Sequence, residues 1–303
     1  MPCFSPLPGF KGPVNENGKR PVIWRAPAGS EKQPVPCGKC IGCRLRYSKN
    51  WAIRCMHESQ MHTENSFITL TYDEKNVPAD GNLDVREVQL FMKRLRKKIG
   101  QPVRYFFAGE YGGRFGRPHY HGLMFGYDFP DKVLKVERLG NKLYESKILA
   151  EVWPNGFHTI GDLSYASAAY VARYCVKKAT AQVEYYRDDE SGVRMQVDKR
   201  SGHIRSAEFT VMSRKPGIGA KWFERFNGDV FPSDEVIING RKERPPRFYD
   251  NLLDKKDPDL LENLKVKRAS GIKWSENTLE RLLVREQFQL DRMKHLIRPL
   301  EVK

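Results

Sequence analysis

The sequence predicts an α+β protein in which antiparallel strands lie beside amphipathic helices. Val103–Tyr111 and His119–Tyr127 have the composition of strands, and the glycine-rich segment between them is typical of a hairpin. Asp84–Ile99 has apolar residues at helical spacing among basic ones, which is typical of an amphipathic helix. Ser164–Ala181 is an alanine-rich helical pattern that carries tyrosines.

The remaining elements follow from local patterns along the chain. Gly100 and Pro102 end the helix at Ile99, and Ser164 is an N-cap for the alanine-rich helix. The other predicted elements are a strand at Val22–Trp24, a helix from Cys40 to His62, a strand at Phe67–Tyr72, a helix at Tyr144–Trp153, a strand at Gly156–Gly161, a hairpin of Val193–Val197 with Ala207–Met212, and helices within 250–303 of which Thr278–Ile297 is the clearest.

Composition shifts predict three regions. Residues 1–65 form a cysteine-containing segment followed by a helix, residues 66–215 form the core, and residues 216–303 form an extension that is mostly irregular and then helical. Pro216 and the Pro245-Pro246 pair mark changes of pattern in the extension.

The charge balance predicts a polyanionic partner, most often nucleic acid. There are 53 Lys and Arg residues against 37 Asp and Glu residues, which gives a formal net charge of +16. No apolar run approaches the roughly 20 residues that a membrane span needs, and the start shows no signal-peptide pattern. We therefore expect no membrane association and a protein that works in the cytoplasm where it is made.

Two histidines one residue apart, His119 and His121, predict a metal site on the hairpin. Side chains on a strand alternate between faces, so both imidazoles point the same way. A hairpin turn centred between residues 114 and 115 places Glu110 opposite His119, close enough to be a third ligand. Two imidazoles and a carboxylate with open positions suit Mg²⁺ or Mn²⁺ bound to a phosphate oxygen. The alternative is a pair of strand histidines without a metal.

Two tyrosines on one helical face, Tyr170 and Tyr174, are candidate nucleophiles. They lie about 6 Å apart along the helix axis. A phenol needs help to attack at neutral pH, and Lys177, Lys178 and Arg173 are the nearby cations. The alternative is that both tyrosines only pack in the helix.

The spacing of Cys37, Cys40 and Cys43 is typical of a metal site rather than of a disulfide framework. A tetrahedral zinc site needs a fourth ligand. Cys55 is excluded, because twelve helical steps place it about 18 Å from Cys43. We expect Cys3 to complete a structural zinc site; an iron–sulfur cluster and free thiols are the alternatives.

Several segments together resemble HUH endonucleases of the rolling-circle Rep type. Phe67–Tyr72, Pro118–Gly122 and Tyr170–Lys178 look like their three motifs, in the same order. The resemblance extends to the replication initiation proteins of gokushoviruses, in the Microviridae. It is carried by residues 36–44, 51–58, 109–122, 167–178, 212–219 and 245–249.

This resemblance implies a fold, an activity and partners. The implied core is an antiparallel sheet of about five strands flanked by helices, here with an N-terminal cysteine cluster and a C-terminal helical extension. The implied activity is nicking of single-stranded DNA at a phage origin, covalent attachment to the 5′ phosphate, and resealing, in the cytoplasm of a bacterial host.

By position, the resemblance implies that His119 and His121 bind the metal and that Tyr170 and Tyr174 attack the DNA; Glu110, Lys177 and Lys178 have supporting roles. Predicted DNA contacts are Thr69, Thr71, Arg114, Arg117 and Arg173. A phosphate-binding GxxxxGK[ST] loop does not occur in the sequence, so we expect host helicase and polymerase to be partners.

Two other classes of function remain open at the level of sequence. The first is a basic, zinc-containing protein that binds nucleic acid without cutting it. The second is a metal-dependent hydrolase that leaves no covalent link to the protein.

Overall fold

The computed structural model describes residues 3–16, 20–26, 29–112, 116–138, 140–174, 183–198, 202 and 204–295. Contacts divide the described residues into two compact units. The larger unit consists of residues 47–270, and the smaller unit consists of the residues up to 46 together with those from 271 to 295.

Strands and helices alternate irregularly along the chain. The elements before residue 175 are β1 Phe10–Lys11, β2 Val22–Ile23, α1 Ile41–Ser59, β3 Asn65–Tyr72, α2 Val85–Ile99, β4 Arg104–Tyr111, β5 Pro118–Phe125, β6 Val133–Arg138, β7 Asn141–Glu145, α3 Lys147–Val152, β8 Gly156–Gly161 and α4 Tyr165–Tyr174. Those after residue 182 are β9 Val183–Arg187, β10 Arg194–Asp198, β11 Ile204–Ser206, β12 Phe209–Met212, α5 Ala220–Val230, β13 Val236–Ile238, β14 Arg241–Glu243, α6 Arg247–Lys256, α7 Pro258–Ser270 and α8 Leu279–Lys294.

An antiparallel sheet is the centre of the larger unit and confirms the α+β prediction. Over the described residues it has seven strands in the order β12-β4-β5-β3-β8-β7-β6. Five of them are the strands that the sequence predicts, and β6 with β7 adds a hairpin at one edge.

Each face of this sheet packs against helices, because apolar residues alternate along its strands. On what we call the α2 face, residues such as Ile68, Leu70 and Phe107 pack with α2 and α3. On the opposite α4 face, Phe67, Phe106 and Leu123 pack with α4 and with the second half of α1. Residues further along the same strands on the α4 face are polar.

The helix α2 forms as its sequence predicts. Asp84 is the N-cap, and its side chain accepts a hydrogen bond of 2.8 Å from the Arg86 N–H. Gly100 ends the helix with φ at +71°, a conformation that favours glycine. The apolar side of α2 then lies against the sheet.

Three predictions about elements are wrong or incomplete. Val193–Val197 does not pair with Ala207–Met212: β10 pairs with β9 and β11, whereas β12 pairs with β4 at the edge of the large sheet. The predicted helix at Tyr144–Trp153 begins only at Lys147, because residues 144 and 145 end β7. The stretch after Pro216 is not irregular throughout, since α5 occupies Ala220–Val230. The predicted extension of α4 to Ala181 lies outside the described residues.

A second apolar cluster in the larger unit connects α1 with the elements after residue 219. Ile53 of α1 packs with Trp222, Tyr249 and Leu261 in this cluster. The His57 ring stacks on that of Trp222, with centroids 3.5 Å apart, and its Nδ1 atom lies 2.8 Å from the Tyr249 hydroxyl oxygen.

In the smaller unit, β1 pairs with β2, and Leu7 and Val35 exchange backbone hydrogen bonds. Within the described residues no helix is both long and apolar enough to cross a membrane.

Candidate active site

Glu110, His119 and His121 lie together at the polar end of the α4 face. The register pairs Glu110 on β4 directly with His119 on β5, which confirms the predicted hairpin. The Glu110 Oε1 atom is 2.6 Å from His119 Nε2 and 3.2 Å from His121 Nε2. One potential ligand atom from each residue lies within 4.8 Å of the others, so the three side chains could hold a metal ion.

The tyrosine helix α4 brings a hydroxyl group to these side chains. The hydroxyl oxygen of Tyr170 is 3.3 Å from His121 Nε2, and the Tyr170 side chain is largely buried. The Phe67 ring stacks on His121 and meets Tyr170 edge to face, so it lies against both. The guanidinium carbon of Arg173 lies 5.9 Å from the centroid of the Tyr170 ring.

Hydrogen bonds orient both imidazole rings. The Nδ1 atom of His119 lies 3.1 Å from the carbonyl oxygen of Arg117 and donates to it, since a carbonyl only accepts. His121 Nδ1 lies 3.0 Å from the Thr69 hydroxyl oxygen. Both Nε2 atoms therefore face Glu110, which is how imidazoles bind metal ions when Nδ1 has a partner.

The carboxylate of Glu110 is the negative group of the site, although its side chain is buried. Burial by itself raises the pKa of Glu110, but hydrogen bonds and charge from His119 and His121 outweigh it and lower the pKa to about 2. If Nδ1 of a neutral His119 carries the proton, its Nε2 lone pair faces the carboxylate oxygen. The lone pair and the negative carboxylate oxygen repel each other. A proton or a metal cation between the two atoms removes this repulsion, so Glu110, His119 and His121 fit a divalent ion.

The predicted DNA contacts differ in their surroundings. Thr69 and Thr71 lie on β3 on the same face as the histidines, paired with His121 and His119 respectively. Arg117 donates to the Tyr72 carbonyl at 3.0 Å and forms an ion pair with Glu74. Arg114, Lys177 and Lys178 lie outside the described residues, and so does the side chain of Tyr174, whose backbone ends α4.

The four cysteines of the predicted zinc site also come together. The Sγ atoms of Cys3, Cys37, Cys40 and Cys43 lie within 4.8 Å of one another, with Cys3 Sγ 3.5 Å from Cys37 Sγ and 3.8 Å from Cys40 Sγ. Four thiolates 2.3 Å from a central zinc ion would be about 3.8 Å apart, so the arrangement fits a tetrahedral metal. Cys55 is not part of this group and is buried in the core of the larger unit.

Backbone N–H groups point at these sulfur atoms, as they do in sites that hold thiolates. Phe4 N–H donates to Cys40 Sγ at 3.3 Å, and Cys37 N–H donates to Cys3 Sγ at 3.2 Å. Burial raises the pKa of Cys40, but N–H donors from Cys43 and Phe4 and the neighbouring thiols lower it to about 7. Burial raises the pKa of Cys43 to about 12.

Comparison with known proteins identifies the family. Residues 65–179, which include the metal-binding candidates and Tyr170, match the family model "Replication-associated protein ORF2/G2P". The replication-associated protein VP4 of Bdellovibrio phage phiMH2K is 35% identical over 235 residues, which are 74% of this chain and 69% of that protein. The chain belongs to the replication-associated proteins of the Microviridae.

Two further relatives support this family. The replication-associated protein ORF2 of Spiroplasma virus 4 is 29% identical over 88% of this chain and 86% of its own length. ORF4 of Chlamydia phage 1, also named a replication-associated protein, is 29% identical over 73% of this chain and 54% of its own length. No solved structure matches the chain.

Two contributors to the site were missed from the sequence. Thr69 was expected only as a DNA contact, but its hydroxyl also bonds His121 Nδ1. Phe67 was seen only as a strand residue, yet its ring lies against both His121 and Tyr170. Alternation along β3 shows which residues of that strand share a face with Thr69. It does not show that this is also the face of the histidines, because that depends on the pairing of β3 with β5.

Proposed function

We propose that this protein nicks and rejoins single-stranded DNA at the phage origin through a 5′-phosphotyrosine link, as an HUH endonuclease of rolling-circle replication. The observation that carries the proposal is the 3.3 Å distance from the Tyr170 hydroxyl to His121 Nε2, within the Glu110–His119–His121 group. A potential nucleophile and a potential cation site therefore meet in a protein of a replication family. Residues 66–215 are the proposed nuclease core.

In the proposed reaction, the phenol oxygen of Tyr170 attacks the phosphorus of a phosphodiester. The Oη–P bond forms as the P–O3′ bond breaks, and the phenol proton ends on the departing 3′ oxygen as a free 3′ hydroxyl. The reverse attack by a 3′ hydroxyl restores the DNA strand and the phenol. The energy of the phosphodiester is kept in the phosphotyrosine, so rejoining needs no other energy source.

The residues of the site have separate roles in this proposal. Glu110, His119 and His121 would hold Mg²⁺ or Mn²⁺, which would polarise the scissile phosphate. Arg173 is a cation close to the Tyr170 ring and is a proposed DNA contact. Tyr174 is the proposed second nucleophile, and Lys177 and Lys178 are its proposed helpers. Thr69, Thr71, Arg114 and Arg117 are proposed DNA contacts.

A trapped adduct tests the proposal. Labelled single strands that together cover the genome encoding this chain are incubated with the protein and Mn²⁺, and covalent products are separated under denaturing conditions. We expect one strand to yield an adduct, and mass spectrometry to place it on Tyr170 or Tyr174. Tyr170→Phe combined with Tyr174→Phe should abolish it, whereas Tyr165→Phe on the same helix should not.

Other outcomes identify the other classes of function. Binding without any adduct contradicts the proposal and favours a protein that only binds nucleic acid. Cleavage that survives both tyrosine substitutions also contradicts it and favours a hydrolase without a covalent link.

We further propose a structural zinc ion on Cys3, Cys37, Cys40 and Cys43. The sulfur positions and the backbone N–H donors support a bound metal. Elemental analysis of purified protein should give one zinc per chain, and Cys40→Ser should lower this value. Iron with visible absorbance would instead indicate an iron–sulfur cluster, and absence of metal would indicate free thiols.

Beyond the molecule itself, the proposed partners are single-stranded origin DNA and the helicase and polymerase of the bacterial host. The proposed location is the cytoplasm of that host.

A further inference from the structure

Phe157 is an exposed aromatic residue on the α4 face of the sheet. Its side chain is 63% exposed, and its backbone is paired with Thr71 of β3, whereas β8 pairs with β7 only at Ile160. Isolated exposed apolar residues are common, so exposure alone assigns no role.

The sheet register places Phe157 in one row with the metal-binding candidates. Thr71 on β3 pairs with His119 on one side and with Phe157 on the other. Directly paired residues of an antiparallel sheet point to the same face. Two strand spacings separate the Cα atoms of His119 and Phe157, which is about 10 Å.

The surroundings of Phe157 favour an open binding surface rather than a core. The apolar end of the α4 face is covered by α4 and α1. At the other end, Thr71 and Thr159 are the neighbours of Phe157 on the same face. A large phenyl ring among short polar side chains presents a flat surface beside them.

The backbone holds Phe157 in a defined place. Gly156 has φ at +148°, and a Cβ atom there would lie 2.3 Å from the Asp73 backbone nitrogen. The Asp73 N–H donates to the Asn155 carbonyl at 3.0 Å. The start of β8 is therefore held against the end of β3 by this hydrogen bond and by close backbone packing. The Phe157 ring is thus attached to a well-positioned backbone.

We propose that Phe157 is a stacking platform for a base of the single-stranded DNA substrate, close to the phosphate that Tyr170 attacks. The inference rests on the proposed function for its ligand. Aromatic rings bind bases of any sequence through their flat faces, while basic side chains bind the phosphates. Phe157 thus adds a contact that depends on the presence of bases.

Two DNA strands that have the same number of phosphates, one with bases and one without, test this inference. Binding is measured by fluorescence anisotropy for a twelve-residue dT strand and for an abasic strand of the same length. All proteins carry Tyr170→Phe, so the result does not depend on nicking. We expect the Tyr170→Phe protein to prefer dT, and added Phe157→Leu to weaken dT binding about tenfold while leaving abasic binding unchanged.

Two variants serve as controls. Phe157→Trp should keep the preference for dT, because the indole also stacks. Phe288→Leu removes a phenyl ring that is 68% exposed on α8 and should leave both affinities unchanged. Melting temperatures show whether each variant is folded.

Several results would overturn the inference. The first is that Phe157→Leu weakens binding of the dT strand and of the abasic strand equally. The second is that it weakens neither. The third is that the Tyr170→Phe protein shows no preference for dT over the abasic strand. Because the adduct assay is separate, absence of nicking would contradict the proposed function without altering this binding comparison.

Discussion

Thr69 shows how one hydroxyl can set the direction of the imidazole ring of a candidate metal ligand. Its oxygen lies 3.0 Å from His121 Nδ1, while His121 Nε2 faces Glu110. A group that orients a ligand in this way usually contributes to metal affinity without touching the ion.

We therefore predict that Thr69→Val weakens Mn²⁺ binding about 10- to 100-fold. Valine has nearly the same shape but offers no oxygen to His121 Nδ1. Calorimetric titration with Mn²⁺ measures the change. Thr71→Val, two residues further on the same face of β3, is the matched control and should bind Mn²⁺ normally. Equal affinities for both variants would count against an orienting role for Thr69.

Sequence separation explains which site residues could be predicted. Glu110 and His119 are close in sequence, so counting residues outward from the hairpin turn is enough to pair them. The observed register agrees. Thr69 and His121 are 52 residues apart, and their contact depends on which strand lies beside β5. Local patterns carry no information about that neighbour.

At the scale of elements, the Phe107 ring of β4 approaches the backbone of Gly122, its paired residue on β5, closely. A Cβ atom at Gly122 would lie 2.3 Å from the Phe107 ring, and Phe107 is fully buried. This close approach lies on the α2 face, directly behind the strands that carry His119, His121 and Glu110.

Gly122→Ala should lower the free energy of unfolding by about 1–3 kcal/mol, because the added methyl group overpacks this contact. Denaturant unfolding followed by circular dichroism measures it. Gly228→Ala in α5 is the control: a Cβ there has no atom within 4 Å, so this variant should be neutral or slightly stabilised. A Gly122→Ala protein as stable as the wild type would show that Phe107 can move aside.

His57 connects three helices and should make stability depend on pH. Burial lowers its pKa to about 4 from the ordinary value of 6.5, so the unfolded chain binds the proton more readily. The free energy of unfolding should therefore decrease as the pH falls from 6.5 to 4, by roughly 3 kcal/mol.

Urea unfolding at several pH values between 6.5 and 4 tests this prediction. His57→Gln should show a shallower decrease over the same range. Some decrease should remain, since burial also lowers the pKa of His158. A variant with the wild-type slope would mean that His57 does not cause the effect.

The errors in predicting elements have separate causes. β12 has a strand-like sequence, but its partner is β4, about a hundred residues earlier. The predicted helix at Tyr144–Trp153 includes the last two residues of β7, because Glu145 and Lys147, on either side of the junction, suit a helix as well as a strand end. The helix α5 was missed because Gly219 and Gly228 interrupt the pattern, and Phe226 has a non-helical backbone.

At the scale of the whole molecule, the net charge of +16 favours binding to phosphates over a wide surface. The metal-binding candidates contribute little to this charge. The binding of DNA and the proposed nicking should therefore be separable.

His119→Ala should abolish nicking while binding of single-stranded DNA stays strong at low salt. The logarithm of the binding constant should fall linearly with the logarithm of the salt concentration, with the same slope as for the wild type. Anisotropy over a salt series measures both slopes, and the adduct assay measures nicking. A variant that loses binding at every salt concentration would tie DNA affinity to the metal site instead.

The cysteine cluster has a consequence for the beginning of the chain. Cys3 and Cys37 are 34 positions apart, so a shared ion would close the intervening stretch into a loop. Because the four sulfur atoms come together only in the folded chain, the free energy of metal binding would stabilise this folded segment. When a chelator strips the ion, we expect the opened loop to become the first point of attack for proteases. An ion at the proposed site would then determine how fast proteases cut this part of the chain.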